Sequence, residues 1–205
     1  MLRDFRGFLV SDRLKGYLWY EMAKRAICHA HLKRDFQRTV DRGGKSAGIG
    51  RNLLGEHKLV FEAWHAFKNG PTDAATFYKR VTPIRARMMR WFRAGVRCGE
   101  KKTVGACKDK IQHFPAMWTF IYEDGVEPTN NYAERILRKA VLWRKEIGTQ
   151  SPEGSRFAER ILTVVESCRI QAMCAFQFLV QTLKAKLHGH GPPSLIPASP
   201  LPLQN

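Results

Sequence analysis

The sequence lacks any stretch approaching the roughly 20 consecutive apolar residues that a membrane-spanning helix needs. Its most apolar segment, residues 114–122, contains Pro115 and is followed by Glu123 and Asp124. The amino terminus begins Met-Leu-Arg-Asp-Phe-Arg and has no apolar core of the kind found in secretory signals. We therefore expect a cytoplasmic protein with no membrane partner.

Paired cysteines are also lacking. The five cysteines are odd in number and show no paired spacing, which excludes a disulfide framework of the kind that staples small secreted domains. We expect reduced thiols, in agreement with a cytoplasmic location.

Acidic residues are scarce, and this is the most unusual property of the chain. There are 18 Asp and Glu against 35 Lys and Arg, which gives a formal net charge of +17. The cations extend from Arg3 to Lys186 and are not confined to a tail, so they predict a broad basic surface. Nucleic acid is the leading partner because neutralised phosphates release counterions, although acidic lipid or acidic protein could attract the same surface.

Short apolar runs predict two strands near the amino terminus. Residues 7–11 form one run that ends at Asp12, and residues 25–28 form a second. A helix is expected to follow from His29 to about Gly43. A carboxylate at the end of a buried strand is a candidate site residue.

Apolar residues at helical spacing predict an all-helical block over residues 44–122. One helix is expected over residues 47–70. A second begins at a cap formed by Thr72 or Asp73 and is kinked or broken at Pro83. A third is expected over residues 101–122. Within this block, Met88, Met89 and Trp91 are interpreted as core residues.

The last third of the chain predicts two helices and an irregular tail. Residues 129–131 supply capping side chains for a helix that reaches about Glu146, and a loop over residues 148–154 separates it from the next helix. Apolar residues spaced by three and four over residues 157–187 predict one continuous amphipathic helix. The Pro-rich residues 189–205 predict an extended or disordered end.

Taken together, four segments resemble the transposases of insertion sequence family 66 (IS66) and occur in that family's order. They are Gly-Phe-Leu-Val-Ser-Asp-Arg at 7–13, Cys-His-Ala-His-Leu-Lys-Arg-Asp-Phe at 28–36, Pro-Thr-Asn-Asn-Tyr-Ala-Glu-Arg-Ile-Leu-Arg at 128–138, and Gly-Ser-Arg-Phe-Ala-Glu-Arg-Ile-Leu-Thr at 154–163. Val-Leu-Trp-Arg-Lys at 141–145 lies between the last two.

The resemblance implies a mainly α protein with a small β remnant (α+β), namely an incomplete ribonuclease-H-like core with an all-helical insertion. Four regions are expected: residues 1–43 as the partial core with Asp12, 44–122 as the insertion, 123–188 as carboxy-terminal core helices with Glu134, and 189–205 as a disordered tail. The implied function is DNA cleavage and strand transfer for insertion-sequence mobility by a DDE-type enzyme.

The resemblance also implies a site. Asp12 and Glu134 correspond to acids that hold two divalent ions, Mg²⁺ or Mn²⁺, whose hard character requires carboxylate oxygens. Basic residues are expected to contact DNA at the element ends and target. They are Arg135, Arg138, Arg144 and Lys145 near the scissile strand. His31, Lys33 and Arg34 are interpreted from the residues themselves either as a basic face that contacts phosphate or as an ordinary solvated helix face.

The chain departs from the family pattern at several positions. The third carboxylate belongs to an earlier strand, and only Asp4 precedes Asp12. Eight extended residues separate these two acids by about 26 Å, too far to share a metal. Thr129 stands where the family has an acid, and His29 stands at an aromatic position. We therefore expect a truncated transposase that is impaired alone. A full-length transposase or a second copy is a possible partner, and a catalytically inactive DNA-binding or assembly module is the alternative.

Structural interpretations remain open for the candidate residues. Glu134 follows Asn131 by three residues, as in a capping box, and could pair with Arg138. Asp12 could cap a strand end or a helix. Glu159, in a second Ala-Glu-Arg-Ile-Leu segment, is a weak rival acid whose simplest interpretation is a solvated side chain. No metal is assigned to Cys28, His29 and His31, because a closed zinc site needs a second ligand pair nearby.

Overall fold

The computed structural model describes residues 5–12, 15–17 and 19–196, and the chain divides into two compact units, Met1–Asn130 and Asn131–Asn205. Within the described residues the first unit contains β1 (Leu9–Ser11), β2 (Arg25–Ile27), α1 (His29–Asp41), α2 (Gly44–Asn69), α3 (Ala74–Val96), α4 (Lys101–Gln112) and α5 (Thr119–Tyr122). The second contains α6 (Asn131–Glu146), α7 (Pro152–Ile170) and α8 (Ala175–Leu187). Single 3-10 turns lie at Lys15–Tyr17, Met22–Lys24 and Pro115–Met117. The expectation of a mainly α chain with a small β part is confirmed.

Among the described residues, no helix combines the length and the apolar character that crossing a bilayer requires.

The two predicted strands are confirmed and pair in parallel. Leu9 lies opposite Arg25 and Ser11 lies opposite Ile27. All three residues of β2 are buried, and the hydroxyl of Thr119 donates a 2.6 Å hydrogen bond to the carbonyl oxygen of Arg25. The strand pair is therefore fixed against the helical part of the first unit.

Consecutive helices α1 to α4 pack each on the next and enclose the main core. Each has a buried face because its large apolar residues recur every three or four positions. Residues of this core that are at most 2% exposed are Ile27, Leu32, Phe36, Leu53, Val60, Phe77, Val81, Met88, Phe92, Cys107, Ala116, Met117 and Trp118. The assignment of Met88 to the core is confirmed, and Met89 and Trp91 pack against it while partly buried.

Two glycines permit close approach between these helices. A Cβ atom at Gly50 would lie 2.6 Å from the backbone nitrogen of Val40, where α2 crosses α1. A Cβ atom at Gly95 would lie 2.3 Å from the sulfur of Cys107, where α3 meets α4. Both separations are shorter than van der Waals contact, so these positions require glycine for the observed packing.

The cap at Asp73 is confirmed, because its carboxylate accepts a 2.7 Å hydrogen bond from the backbone nitrogen of Thr76. Of the kink or break expected at Pro83, the break is wrong, because α3 continues from Ala74 to Val96. Burial of Val81, Ile84 and their neighbours on the core side offsets the cost of about 3 kcal/mol that an internal proline imposes.

The single helix expected over residues 101–122 is also wrong. Helix α4 ends at Gln112, a 3-10 turn follows at Pro115–Met117, and α5 begins at Thr119. Pro115 has no amide hydrogen to donate and so cannot continue the hydrogen-bond pattern of α4; it occupies the start of the 3-10 turn, where no such donor is needed.

The continuous helix expected over residues 157–187 is two helices, α7 and α8. Ala172, with φ of 54°, adopts the left-handed conformation after α7. The amide of Met173 then donates a 2.8 Å hydrogen bond to the carbonyl oxygen of Cys168. This six-residue closure is the pattern of a Schellman helix end, and it reverses the chain within an otherwise unbroken apolar periodicity.

Much of the apolar stripe in the second unit is exposed. Phe157 and Leu183 are each 62% exposed, and Leu187 is 83% exposed. Glu159 is exposed, as its solvated interpretation requires. Residues 189–196 form no helix or strand, whereas the remainder of the predicted tail, 197–205, lies outside the described residues.

Candidate functional site

Asp12 lies at the carboxyl end of a parallel strand. It follows β1 directly and is half-buried. The amide of Cys28 donates a 2.8 Å hydrogen bond to the carbonyl oxygen of Ser11, so pairing with the second strand continues up to the residue before Asp12. Ligands of open α/β sheets commonly bind outside the carboxyl ends of the strands. The backbone here can therefore present a carboxylate from a fixed position.

The junction between β2 and α1 is a buried packing centre. Cys28 and His29 are both 0% exposed. The His29 ring packs edge-on against Trp118 and Phe120, and its Nε2 lies 2.7 Å from the carbonyl oxygen of Met117. Burial lowers the pKa of His29 to about 3, an effect increased by the nearby ring of His57. His29 is thus a neutral core residue.

Two of the family-like segments meet at this junction. The amide of His29 donates a 2.8 Å hydrogen bond to the carbonyl oxygen of Pro128. The amide of Asn130 lies 3.5 Å from the sulfur of Cys28 as a donor. The residues that precede α6 therefore contact the start of α1. Cys28 and Asn130 are 102 positions apart in the sequence. Sequence reasoning did not assign this role to Cys28, because no local spacing reveals a contact of such long range.

The candidate DNA-binding residues of α1 lie outside its core face. The core face carries Leu32 and Phe36, which are at most 1% exposed. Lys33 and Arg34 are exposed, whereas His31 is half-buried. Lys33 and Arg34 are accessible to a polyanion.

Glu134 occupies the first turn of α6, beside a groove of about 580 Å³ on that helix. Residues that line the groove are Asn131, Glu134, Arg135, Leu137, Arg138 and Val141. A carboxylate in this turn interacts favourably with the positive end of the helix dipole. The guanidinium of Arg135 lies 5.7 Å from the centre of the Tyr132 ring. The groove thus brings together one acid, two arginines and an apolar floor.

Three predicted cations extend from this groove along α6. Arg138 follows Glu134 by one turn, and Lys145 falls on the same face at a separation of 11 residues, about 16 Å along the axis. Arg144 lies off that face at 10 residues. All three side chains are exposed. Helix α6 therefore presents an acid at one end and cations along its length.

The predicted site residues are divided between the two units. Asp12, His31, Lys33 and Arg34 belong to the first, and the candidates on α6 belong to the second.

A buried acid that sequence reasoning missed lies in the second unit. Glu166 is 5% exposed and joins α6 to α7, since its two carboxylate oxygens contact Lys139 at 2.5 Å and Arg169 at 2.8 Å. Hydrogen bonds from Lys139 and then Arg169 hold the pKa of Glu166 below its usual value. No spacing pairs Glu166 with Lys139, which are 27 residues apart. Glu166 positions α6, the helix that carries Glu134.

Comparison with known proteins identifies the family. The family model described as "Transposase IS66 family" matches residues 1–156, a range that includes Asp12, the junction at Cys28 and Glu134. No curated protein and no solved structure matches the chain. The matched range exceeds half of the 205 residues, and the chain therefore belongs to the IS66 family of transposases.

Proposed function

We propose that this chain takes part in metal-dependent cleavage and transfer of DNA strands at the ends of an insertion element, with Asp12 and Glu134 as metal-binding carboxylates. The observation that carries the proposal is the family match over residues 1–156, which spans both acids. Membership implies DNA as the partner and, for DDE-type transposases generally, a divalent cation. In this proposal β1, β2 and the carboxy-terminal helices are parts of a ribonuclease-H-like core, and residues 44–122 are its helical insertion.

The two acids suit a hard divalent cation in their chemistry. Each offers carboxylate oxygens, the donors that Mg²⁺ and Mn²⁺ prefer. Each is half-buried on a regular element, Asp12 after β1 and Glu134 in the first turn of α6. A bound pair of such ions would activate an attacking oxygen and stabilise the leaving oxygen at a phosphodiester.

Cations beside Glu134 would supply the other requirement, which is a positioned DNA backbone. Arg135 and Arg138 line the same groove as Glu134. A guanidinium can donate two parallel hydrogen bonds to one phosphate, which fixes orientation as well as charge. We assign these two arginines to the phosphates that flank the reacting bond, and Arg144, Lys145, Lys33 and Arg34 to more distant backbone contacts.

The test compares two carboxamide variants with a matched control. Labelled duplex carrying the element's end sequence is incubated with Mg²⁺, Mn²⁺ or EDTA and with the protein, first alone and then with the upstream-encoded polypeptide supplied. Mn²⁺ binding is measured in parallel by calorimetry. Asp12→Asn and Glu134→Gln are expected to lower metal-dependent cleavage at least about 100-fold and to weaken Mn²⁺ binding. Glu159→Gln changes the exposed acid of the second Ala-Glu-Arg-Ile-Leu segment and should leave both unchanged.

Two outcomes would contradict the assignment. Cleavage that survives both Asp12→Asn and Glu134→Gln would remove these residues from the site. Mn²⁺ binding that is equal in the wild type and both variants would do the same where cleavage is too slow to compare.

The second candidate function is a DNA-binding or assembly module without catalysis. The net charge of +17 favours it, since backbone binding needs only cations. Salt-sensitive DNA binding with neither metal-dependent cleavage nor Mn²⁺ binding would support this candidate over the enzyme.

A further inference from the structure

Helix α3 has one face that the proposed site does not use. Its core side carries Phe77, Val81, Ile84, Met88 and Phe92, all at most 5% exposed. Its opposite side, at the same three- and four-residue spacing, carries Lys79, Thr82, Ala86, Arg90, Arg93 and Arg97, all exposed. From Arg90 onward every position of this outer row is an arginine.

We infer that Arg90, Arg93 and Arg97, continued by Lys101 and Lys102 at the start of α4, form a binding surface for the phosphate backbone of duplex DNA. We call these five residues the α3 cationic face. The inference rests on the proposed function only in that the ligand is DNA. It adds a contact surface on the helical block, made of residues other than those assigned to the site.

The charges of this surface are not neutralised. Within the described part of the chain, no carboxylate lies within 4 Å of any of the five cations. Other exposed cations of the first unit do have partners: Lys24 lies 3.4 Å from Glu21, and Lys58 lies 3.7 Å from Glu62. The α3 cationic face therefore carries a concentrated positive potential, which a polyanion would reduce on binding.

The spacing of the arginines suits a DNA strand. Steps of three and four residues along a helix separate Arg90, Arg93 and Arg97 by about 4.5 and 6 Å, or about 10.5 Å in all. One DNA strand rises about 3.4 Å along the axis per phosphate, so the length of this row corresponds to about three steps from one phosphate to the next. Lys101 and Lys102, both exposed, begin α4 four and five residues after Arg97 and add two cations at this end of α3.

The arginines are displayed from a rigid support. Met88 and Phe92, both 0% exposed, anchor the core side of the same turns. Gly95 lies between Arg93 and Arg97 and allows α4 to approach so closely that an added Cβ would meet Cys107 at 2.3 Å. Because the backbone under the row is fixed by this packing, little ordering is needed when phosphates bind.

The chemistry of the row favours DNA over an anionic membrane. A membrane-surface helix combines cations with large apolar residues on its other face, which insert among the lipids. Here the other face is the protein core, and the outer row has Ala86 as its sole apolar residue. It therefore lacks an apolar anchor.

The test is the salt dependence of DNA binding by the full chain. Fluorescence anisotropy with a 30-base-pair duplex gives the slope of log affinity against log salt, which falls by about 0.9 for each phosphate contact removed. The triple variant Arg90→Gln/Arg93→Gln/Arg97→Gln should lower the magnitude of the slope by about 2.7 and the affinity at 0.1 M salt on the order of 100-fold. Circular dichroism checks that the variant remains folded.

The matched control removes the same formal charge from paired cations. Lys24, Lys58 and Arg156 each lie within 3.7 Å of a carboxylate, so changing all three to Gln should alter the slope by less than about 1. An unchanged slope in the arginine triple variant, or a loss equal to that of this control, would overturn the inference. Vesicles with anionic lipid form a second arm: binding to them that the triple variant loses, with DNA binding unaffected, would assign the face to membranes instead.

Failure of this inference and failure of the proposed function give different results. If the arginine triple variant has a smaller slope of log affinity against log salt while the wild type shows no metal-dependent cleavage, the results support the α3 cationic face and contradict the catalytic proposal. If Glu134→Gln abolishes cleavage while the triple variant keeps the wild-type slope, the reverse holds.

Discussion

Two buried histidines make the stability of the first unit depend on pH. His29 is 0% exposed and His57 is 6% exposed. Burial lowers the pKa of His29 to about 3, and the charge of His57 lowers it further. Burial likewise lowers the pKa of His57 to about 4, with a further lowering from the charge of Lys33. A hydrogen bond from each ring to a backbone carbonyl oxygen opposes the shift only in part.

The sign of the effect follows from which state binds the protons. Above pH 6.5 both rings are neutral in the folded and unfolded chains, so the stability is fully present there. As the pH falls below 6.5, the unfolded chain binds two protons that the folded chain does not bind. The free energy of unfolding therefore decreases. The decrease levels off only when the folded rings are protonated, near pH 4 for His57 and pH 3 for His29.

The magnitude between pH 7.5 and pH 5.0 is set almost entirely by the unfolded chain. With an unfolded pKa near 6.5, each histidine costs about 2 kcal/mol over this interval, or about 4 kcal/mol for the pair. Urea unfolding at the two pH values, followed by circular dichroism, measures the difference. His57→Gln keeps a nitrogen donor for the carbonyl oxygen of His29 and should halve the difference to about 2 kcal/mol.

The control is His65→Gln, at an exposed position of the same helix, which should leave the full difference of about 4 kcal/mol. A wild type whose unfolding free energy changes by less than about 0.5 kcal/mol between the two pH values would refute the reasoning, as would an undiminished change in His57→Gln.

Two further predictions concern packing and ion pairing. Gly50→Ala places a Cβ atom 2.6 Å from a backbone nitrogen of α1 and should lower the free energy of unfolding by about 1–3 kcal/mol. Gly55→Ala, with open space around it in the same helix, should raise it by up to about 1 kcal/mol. Thermal melting distinguishes the two variants, and equal melting temperatures would contradict the close approach at Gly50. Glu166→Gln weakens the link between α6 and α7 and should cost about 1 kcal/mol in urea unfolding. Glu153→Gln, at a carboxylate that is 78% exposed, should cost less than about 0.3 kcal/mol, and the reverse order would be inconsistent with the buried pairing of Glu166.

Elements with long, regular apolar spacing could be predicted from the sequence. Helix α2 lies close to its predicted range, because its apolar residues recur every three and four positions and a glycine signal stands at its end. Helix α6 also lies close to its predicted range, which rests on the capping residues that precede it. The strands β1 and β2 were also found, since each is a short apolar run followed by a polar or helical signal.

Breaks within periodic segments could not be predicted in the same way. Helix α7 ends at a left-handed Ala172, a residue type that gives no sequence signal for that conformation. Pro83 and Pro115 have the same chemistry but opposite outcomes. Helix α3 continues through Pro83, where Val81 before it and Ile84 after it are buried, whereas the chain turns at Pro115. Tertiary packing decides such cases, and a single sequence does not contain it.

The candidate site follows a similar division. The positions of Asp12 after a strand and Glu134 in a first helical turn were predicted, since both depend on local structure. The contacts of Pro128 and Asn130 with the start of α1, and the ion pairs of Glu166, join residues that are distant in sequence. The metal-binding roles of Asp12 and Glu134 remain predictions, as do the metal ions themselves.

The most direct test of the central claim is cleavage of the element's end DNA by the wild type and by Glu134→Gln, each with Mn²⁺ and with EDTA. With the upstream-encoded polypeptide supplied to both proteins, we expect cleavage products from the wild type in Mn²⁺ and none in EDTA, with a loss of at least about 100-fold in the variant. Equal cleavage by the two proteins, or cleavage that persists in EDTA, would contradict a metal-dependent transposase site that uses Glu134.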